Sequence, residues 1–270
     1  MNPLVRLRKM VAFERFLARL FSLQPDKWFL KGGLALQLRL GIRARTTKDM
    51  DMLTIAESQK IYQALRNAGR LDLGDWFAFE VARASQQSPK DFGGLRHQIR
   101  TLLDGRTFED FHIDVGIGDP LSEPPEYLTT PDLLSFAGLE PTRVPCYPVS
   151  QQIAEKFHAY TRPRTTGESS RVKDFVDILL LAELGNISSN TLQLAILETF
   201  RNADTHTLPS NVPQPPSNWE QMNRSMADEV GLNGTSLNQA YAALQNFLDP
   251  VLRDVEGELS WDPIKWSWGQ

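Results

Sequence analysis

Residues 31 to 53 read KGGLALQLRLGIRARTTKDMDML, a double glycine followed by an aspartate pair. Along a strand, residues two apart face the same side and lie roughly 6.6 Å apart. Asp49 and Asp51 can therefore converge on one or two hard cations while Met50 and Met52 turn toward the core. Two carboxylates on one face repel each other unless a cation sits between them. Gly32 and Gly33 stand between a short apolar strand, Trp28 to Leu30, and a run that suits a helix. Such a turn would bring bare backbone amides and a helix N-terminus up to a triphosphate. A DxD pair alone is a weak signal; joined to the glycine turn upstream, it points to phosphoryl chemistry assisted by Mg²⁺.

Two-metal phosphoryl transfer also needs a ligand or base on the side of the attacking hydroxyl. Asp114 is the candidate, because in FHIDVGIG it lies on the polar face of an otherwise apolar strand. An unpaired carboxylate there would be penalised by burial. It reads as a metal ligand or a general base, with a structural ion pair as the alternative. Glu109 and Asp110, at the start of the same strand, read as solvated. Arg45, four residues before Asp49, can hold the triphosphate or a loop carboxylate, whereas Lys48 reads as solvated.

The elements that must position these groups follow from periodicity. Met10, Phe13, Leu17 and Leu20 fall at helical spacing with Arg8, Arg15 and Arg19 interleaved, predicting a helix packed on the domain with solvated arginines. A strand over 49–55 leads to a helix over 58–68 that Gly69 ends, and further strands are predicted over 76–81, 95–103 and 108–117. The proline-rich stretch 119–148 reads as a crossing segment without long regular elements. Beyond it the pattern is helical: 151–160, 171–184, 191–200, 219–230 and 237–248, with a proline-rich loop at 208–218. The expectation is an α+β protein: a mixed sheet with flanking helices over 1–145 and a helical bundle over 146–270. The tail, with Trp261, Trp266 and Trp268, reads as a packed flap and not as a base-stacking surface.

A chain of 270 residues with 41% hydrophobic and 23% charged residues needs no covalent staples to hold a core, and a net charge of −4 excludes neither a small substrate nor a local nucleic-acid patch. Cys146 is the single cysteine and the four histidines are scattered, so no internal disulfide and no zinc spacing are present. Charges interrupt the first twenty residues, unlike a signal peptide or membrane span, so the expectation is a cytoplasmic protein with no membrane partner.

In four ordered blocks the chain resembles the AbiEii/AbiGii toxin family, nucleotidyltransferases related to the DNA polymerase β superfamily. The blocks are KGGLAL (31–36), RTTKDMDM (45–52), FHIDVGIGD (111–119), and IAEKFHAY (153–160) with RVKDFVDILLL (171–181). The resemblance implies a nucleotidyltransferase-type sheet and transfer of a nucleoside monophosphate from an NTP to a hydroxyl on a tRNA 3′ end or a protein. It also implies a toxin–antitoxin setting with a cognate antitoxin. It gives roles to Lys156, as a phosphate contact, and Asp174, orienting the nucleotide or accepting a proton, with Asp177 on the same helical face as a further nucleotide contact. Ser150, after Pro148, reads as the N-cap of the helix that carries Lys156. The insert RPRTTGESS (162–170) departs from the family pattern, leaves the Lys156 to Asp174 distance open, and is basic enough to contact RNA. Two other readings stand beside this one: a partner-binding protein that kept the fold without catalysis, and a nucleotidyltransferase acting on a small molecule such as an antibiotic.

Overall fold

The computed structural model describes residues 3–84, 94–118, 121, 123–163, 171–232, 236–253 and 257–270. The chain divides into two compact units, 1–119 with 125–147 and 120–124 with 148–270. The first unit runs α1 (Pro3–Leu23), β1 (Trp28–Lys31), α2 (Gly32–Leu40), β2 (Asp49–Thr54), α3 (Ser58–Arg70), β3 (Phe77–Val81), β4 (Leu95–Leu103), β5 (Arg106–Ile117), β6 (Glu126–Thr129) and β7 (Arg143–Cys146). Among the described residues its sheet has seven strands in the order β3-β4-β5-β2-β1-β7-β6. It is a mixed sheet: β2 with β5 and β1 with β7 are parallel, and the other neighbours are antiparallel.

Strict alternation divides the sheet's two faces. Met50, Met52, Ile99, Phe111, Ile113 and Val115 are buried on one side, against α1. Phe13 meets Phe111 edge-on at 5.0 Å between ring centroids, and Phe16 meets Phe79 at 5.2 Å. The opposite face keeps the polar set of the same strands, Asp49 and Asp51 on β2 and His112 and Asp114 on β5, only partly covered except at Asp114.

Two local expectations are corrected here, and a third, the absence of long elements from the proline-rich stretch, gains detail. The arginines of α1 are not all solvated: Arg15 and Arg19 are buried, each 2.8 Å from Asp75 Oδ2, and Arg19 also donates to the carbonyls of Leu71 and Phe77. Guanidiniums tolerate burial when a carboxylate and carbonyls satisfy them. Gly69 does not end α3, which continues to Arg70. A Cβ at Gly69 would lie 2.6 Å from the Phe79 carbonyl, so this glycine permits close helix-to-strand contact. The proline-rich stretch contains two short strands, β6 and β7, that extend the sheet. Pro145 removes one ladder donor, and β7 registers with β1 at one pair, Leu30 with Cys146. Cys146 is buried and its thiol is pushed up to about 12 by that burial, which makes it inert.

The second unit holds α4 (Val149–Thr161), α5 (Val172–Ala182), α6 (Ser189–Ala203), α7 (Glu220–Val230), α8 (Leu237–Leu252) and a hairpin of β8 (Ser260–Asp262) with β9 (Ser267–Gly269). Helix α4 packs on α5 and α6. Its N-cap is Pro148, with extended backbone, and not Ser150, whose hydroxyl donates to Glu123 instead. Ser236 forms a capping box with Gln239 at the start of α8. The tail is a packed flap: Trp261 lies 4.7 Å from Phe247, and the indole N–H groups of Trp261, Trp266 and Trp268 donate to the carbonyls of Ala182, Ala243 and Phe247. Among the described residues no helix is long and apolar enough to cross a membrane.

Candidate active site

On the open face of the sheet, register aligns Lys31 with Asp51, Asp51 with Asp114, and Asp114 with Arg96. Directly paired residues on neighbouring strands share a face, so a cation, two anions and a cation cross β1, β2, β5 and β4 in one row. Asp49 stands in the next such row, paired with His112. Arg96 joins the rows: its Nη2 donates to Asp49 Oδ2 at 2.9 Å, and its Nε lies 3.0 Å from Asp114 Oδ1. His112 Nδ1 is 3.5 Å from Asp49 Oδ1. Asp114 is 5% exposed, whereas Asp49 and Asp51 are half-buried.

The glycine turn meets this row at Asp51. Gly32 opens α2 with φ +64°, a left-handed conformation that a side chain would strain. A Cβ there would lie 2.1 Å from Asp51 Oδ2, so the carboxylate sits directly over the turn. Gly33 is close-packed as well, its Cβ position being 3.0 Å from the Thr47 side chain. Thr47 in turn donates its hydroxyl to the Asp49 carbonyl at 2.9 Å, fixing the chain's entry into β2. Lys31, the N-cap of α2, adopts extended backbone, makes no side-chain cap, and holds its ammonium over the Tyr147 ring, 5.0 Å from the centroid. The helix N-terminus thus presents backbone amides beside the carboxylates, where its dipole favours an anion. Arg45 lies half-buried in the stretch leading to β2.

A divalent cation is the group this fold implies, and the donors suit one. Asp49, Asp51 and Asp114 carry hard oxygen donors on adjacent strands, the donor type that a divalent cation such as Mg²⁺ takes. In the present geometry no three His, Cys, Asp or Glu side chains among the described residues converge tightly enough to hold an ion. The guanidinium of Arg96 lies between two of the three instead.

The second unit brings Lys156, Asp174 and Asp177 together. Lys156 Nζ donates to Asp177 Oδ2 at 2.6 Å and to Asp174 Oδ1 at 3.3 Å, and Arg171 Nη1 reaches Asp174 Oδ2 at 3.3 Å. The Lys156 to Asp174 distance that the insert left open is therefore a contact. Residues 164–170 of that insert lie outside the described residues, and with them most of the predicted RNA contact. Lys156 is 8% exposed, and its ammonium is neutralised by two carboxylates. Asp177 is fully buried, although its helix position places it with the polar residues of α5.

A comparison with protein families decides what this arrangement belongs to. The family described as nucleotidyl transferase AbiEii toxin, type IV toxin–antitoxin system, matches residues 15–255. The chain belongs to the AbiEii family. It is a nucleotidyltransferase, and its family places it as the toxin of a type IV toxin–antitoxin system. No match was found among curated proteins.

Among solved structures, this AbiEii protein is similar to MenT4, a nucleotidyltransferase toxin from Mycobacterium tuberculosis H37Rv, at 19% identity and TM-score 0.61, covering 95% of this chain and 85% of that one. At that identity the likeness shows a shared fold. JHP933 from Helicobacter pylori matches at 14% identity and TM-score 0.49, over 92% of this chain and 91% of that one. An antigenic nucleotidyltransferase-like protein from Paracoccidioides brasiliensis matches at 18% identity and TM-score 0.44, over 76% and 96%.

Two residues that contact the aspartates, His112 and Arg96, are absent from the sequence-based reading. His112 was within reach, because it lies two before Asp114 on one strand and hence on the same face. Arg96 was not, since its place depends on the antiparallel register of β4 on β5, which no local pattern prints.

Proposed function

We propose that this AbiEii nucleotidyltransferase moves a nucleoside monophosphate from an NTP to a hydroxyl of a macromolecular acceptor, with release of pyrophosphate. The observation that supports it most is Asp51, which is paired across strands with Asp114 and lies against the Gly32 turn. Carboxylates suited to a cation and a helix end suited to an anion thereby lie side by side, which supports the reading. Asp49, Asp51 and Asp114 would hold Mg²⁺, which when bound neutralises phosphate charge and favours in-line displacement. The amides of Gly32 and Gly33, with the N-terminal dipole of α2, receive the triphosphate, and Arg45 is assigned to the same group. Asp114, the least exposed of these three carboxylates, binds the cation or takes the proton of the attacking hydroxyl. From the second unit we assign nucleotide contacts to Lys156 and Asp174, with Asp177 holding the ammonium in place. Catalysis in such a site is mostly positioning and charge stabilisation.

The acceptor we favour is RNA, a tRNA 3′ end, or else a protein side chain; an NTP donor and such acceptors fit a cytoplasmic setting with a cognate antitoxin. The length of the helical second unit supports a macromolecule over a small molecule. The test is to incubate the full chain with total cell RNA and protein and with each labelled NTP in turn, alongside Asp51→Asn. Label in tRNA-sized RNA or in a protein band, absent with the variant, is the expected result. Label that persists in the variant would remove Asp51 from the chemistry, and failure to label either class of acceptor with any NTP would overturn the assignment.

A further inference from the structure

Asp49, Asp51 and Asp114 carry three negative charges on two adjacent strands, and in this structure the charge nearest them from β4 is the Arg96 guanidinium. It reaches Asp49 Oδ2 with Nη2 at 2.9 Å and approaches Asp114 Oδ1 with Nε at 3.0 Å. A guanidinium stays charged at any working pH, and its planar fork can touch two carboxylates at once where an ammonium cannot. Its side chain is a quarter exposed, so it can turn outward without disturbing the core.

We infer that Arg96 is a positioning residue that serves as the site's resident counter-ion and couples metal entry to nucleotide entry. The inference rests on the reading of the three aspartates as the cation's ligands. A divalent cation arriving alone must displace a paired guanidinium and leave it without a carboxylate. With a cation that arrives bound to a triphosphate, Arg96 would release Asp49 and Asp114 to the cation and turn to a phosphate oxygen in their place. Charge is conserved in the exchange, and no covalent bond changes. The phosphate-side contact also places a second cation opposite Lys31 across the row.

The experiment measures Mn²⁺ binding to the full chain by electron paramagnetic resonance, with and without a non-hydrolysable NTP analogue. The forms compared are wild type, Arg96→Met, Arg96→Lys, Asp51→Asn and Asp114→Asn. Arg100→Met serves as a control, because Arg100 is exposed on the same strand and faces Glu80 and Asp110 instead. Wild type is expected to bind Mn²⁺ weakly alone and much more tightly with the analogue. Arg96→Met should bind Mn²⁺ alone about tenfold or more tightly than wild type and show little further gain from the analogue. Arg96→Lys should fall between them, and Arg100→Met should match wild type. If Asp51→Asn and Asp114→Asn lose Mn²⁺ while Arg96→Met behaves as wild type, the counter-ion role is overturned and the metal assignment stands. If Mn²⁺ binding is indifferent to both aspartate variants, the metal assignment itself fails and the counter-ion role with it.

Discussion

At the scale of single residues, Gly32 and Asp51 define the site more sharply than either does alone. Alanine at Gly32 would suffer twice, from the left-handed φ of +64° and from a Cβ placed 2.1 Å from Asp51 Oδ2. Gly32→Ala should therefore displace the carboxylate and lower transfer about tenfold or more, with a stability loss of about 1 to 2 kcal/mol read by urea denaturation. Unchanged activity with unchanged stability would contradict the close approach. Asp114→Asn should slow single-turnover transfer about a hundredfold while weakening NTP affinity much less, as for a group acting on the reacting hydroxyl. Equal losses in rate and affinity would make it an ordinary ligand. In the second unit, Asp177→Ala removes the nearer of the two carboxylates from a buried ammonium and should cost about 2 kcal/mol, whereas Asp174→Ala, less buried, should cost less stability and more activity. Much of this was legible in the sequence. Alternation alone puts Asp49, Asp51 and Asp114 on polar faces opposite Met50, Met52, Ile113 and Val115. The partners Arg96 for Asp49 and Asp177 for Lys156 were not legible, because each depends on how distant elements register.

Elements follow periodicity until a backbone contact overrides a local rule, and Gly69 is the case in point. By helix propensity, Gly69→Ala inside α3 should stabilise by about 1 kcal/mol. The added Cβ would instead meet the Phe79 carbonyl at 2.6 Å, an atom of β3 that cannot turn away. Overpacking of this kind costs about 1 to 3 kcal/mol, so the net change should be a lower melting temperature; a rise would show that α3 can shift. The glycine therefore looked like a helix stop in the sequence while acting as a spacer between helix and strand. Strands β6 and β7 carry no clear local signal for a related reason. Each is four residues long, one contains Pro145, and such short segments are made into strands by the sheet they join. The apolar spacing predicts helix α1, but the burial of Arg15 and Arg19 depends on Asp75, which lies beyond β1, α2, β2 and α3. Burial pushes the Asp75 carboxyl up, yet Arg19, the Phe77 amide and Arg15 together outweigh it and hold the group below the usual carboxylate range. A depressed folded pKa means that stability is present above the unfolded value, near 3.9, and is lost as pH falls through the folded one. The stability gap between wild type and Asp75→Asn should accordingly hold from about pH 7 to about pH 5 and narrow as pH falls below about 4, measured by urea midpoints.

For the whole molecule, family membership turns the chemistry into a statement about cells. An enzyme that adds nucleotides to an essential acceptor needs only turnover to do harm, so toxicity should follow the carboxylates and not the fold. Expressed alone from an inducible promoter in a bacterium, the wild-type chain is expected to arrest growth, and Asp49→Asn, folded and equally abundant, is not. Asp49 is the informative choice because it is half-buried and pairs with Arg96 and His112 at the edge of the cluster, so its loss should spare the core that Met50 and Met52 build from the other side. Comparing circular dichroism melts of the two proteins checks that assumption directly. Equal slowing by both forms would mean that the burden is nonspecific, and the link between this site and toxicity would fall. Arrest by wild type alone would leave the acceptor as the next question, and sequencing RNA 3′ ends from arrested cells would answer it. Added nucleotides on tRNA ends point to RNA as the acceptor, whereas unchanged ends in arrested cells turn attention to a protein hydroxyl.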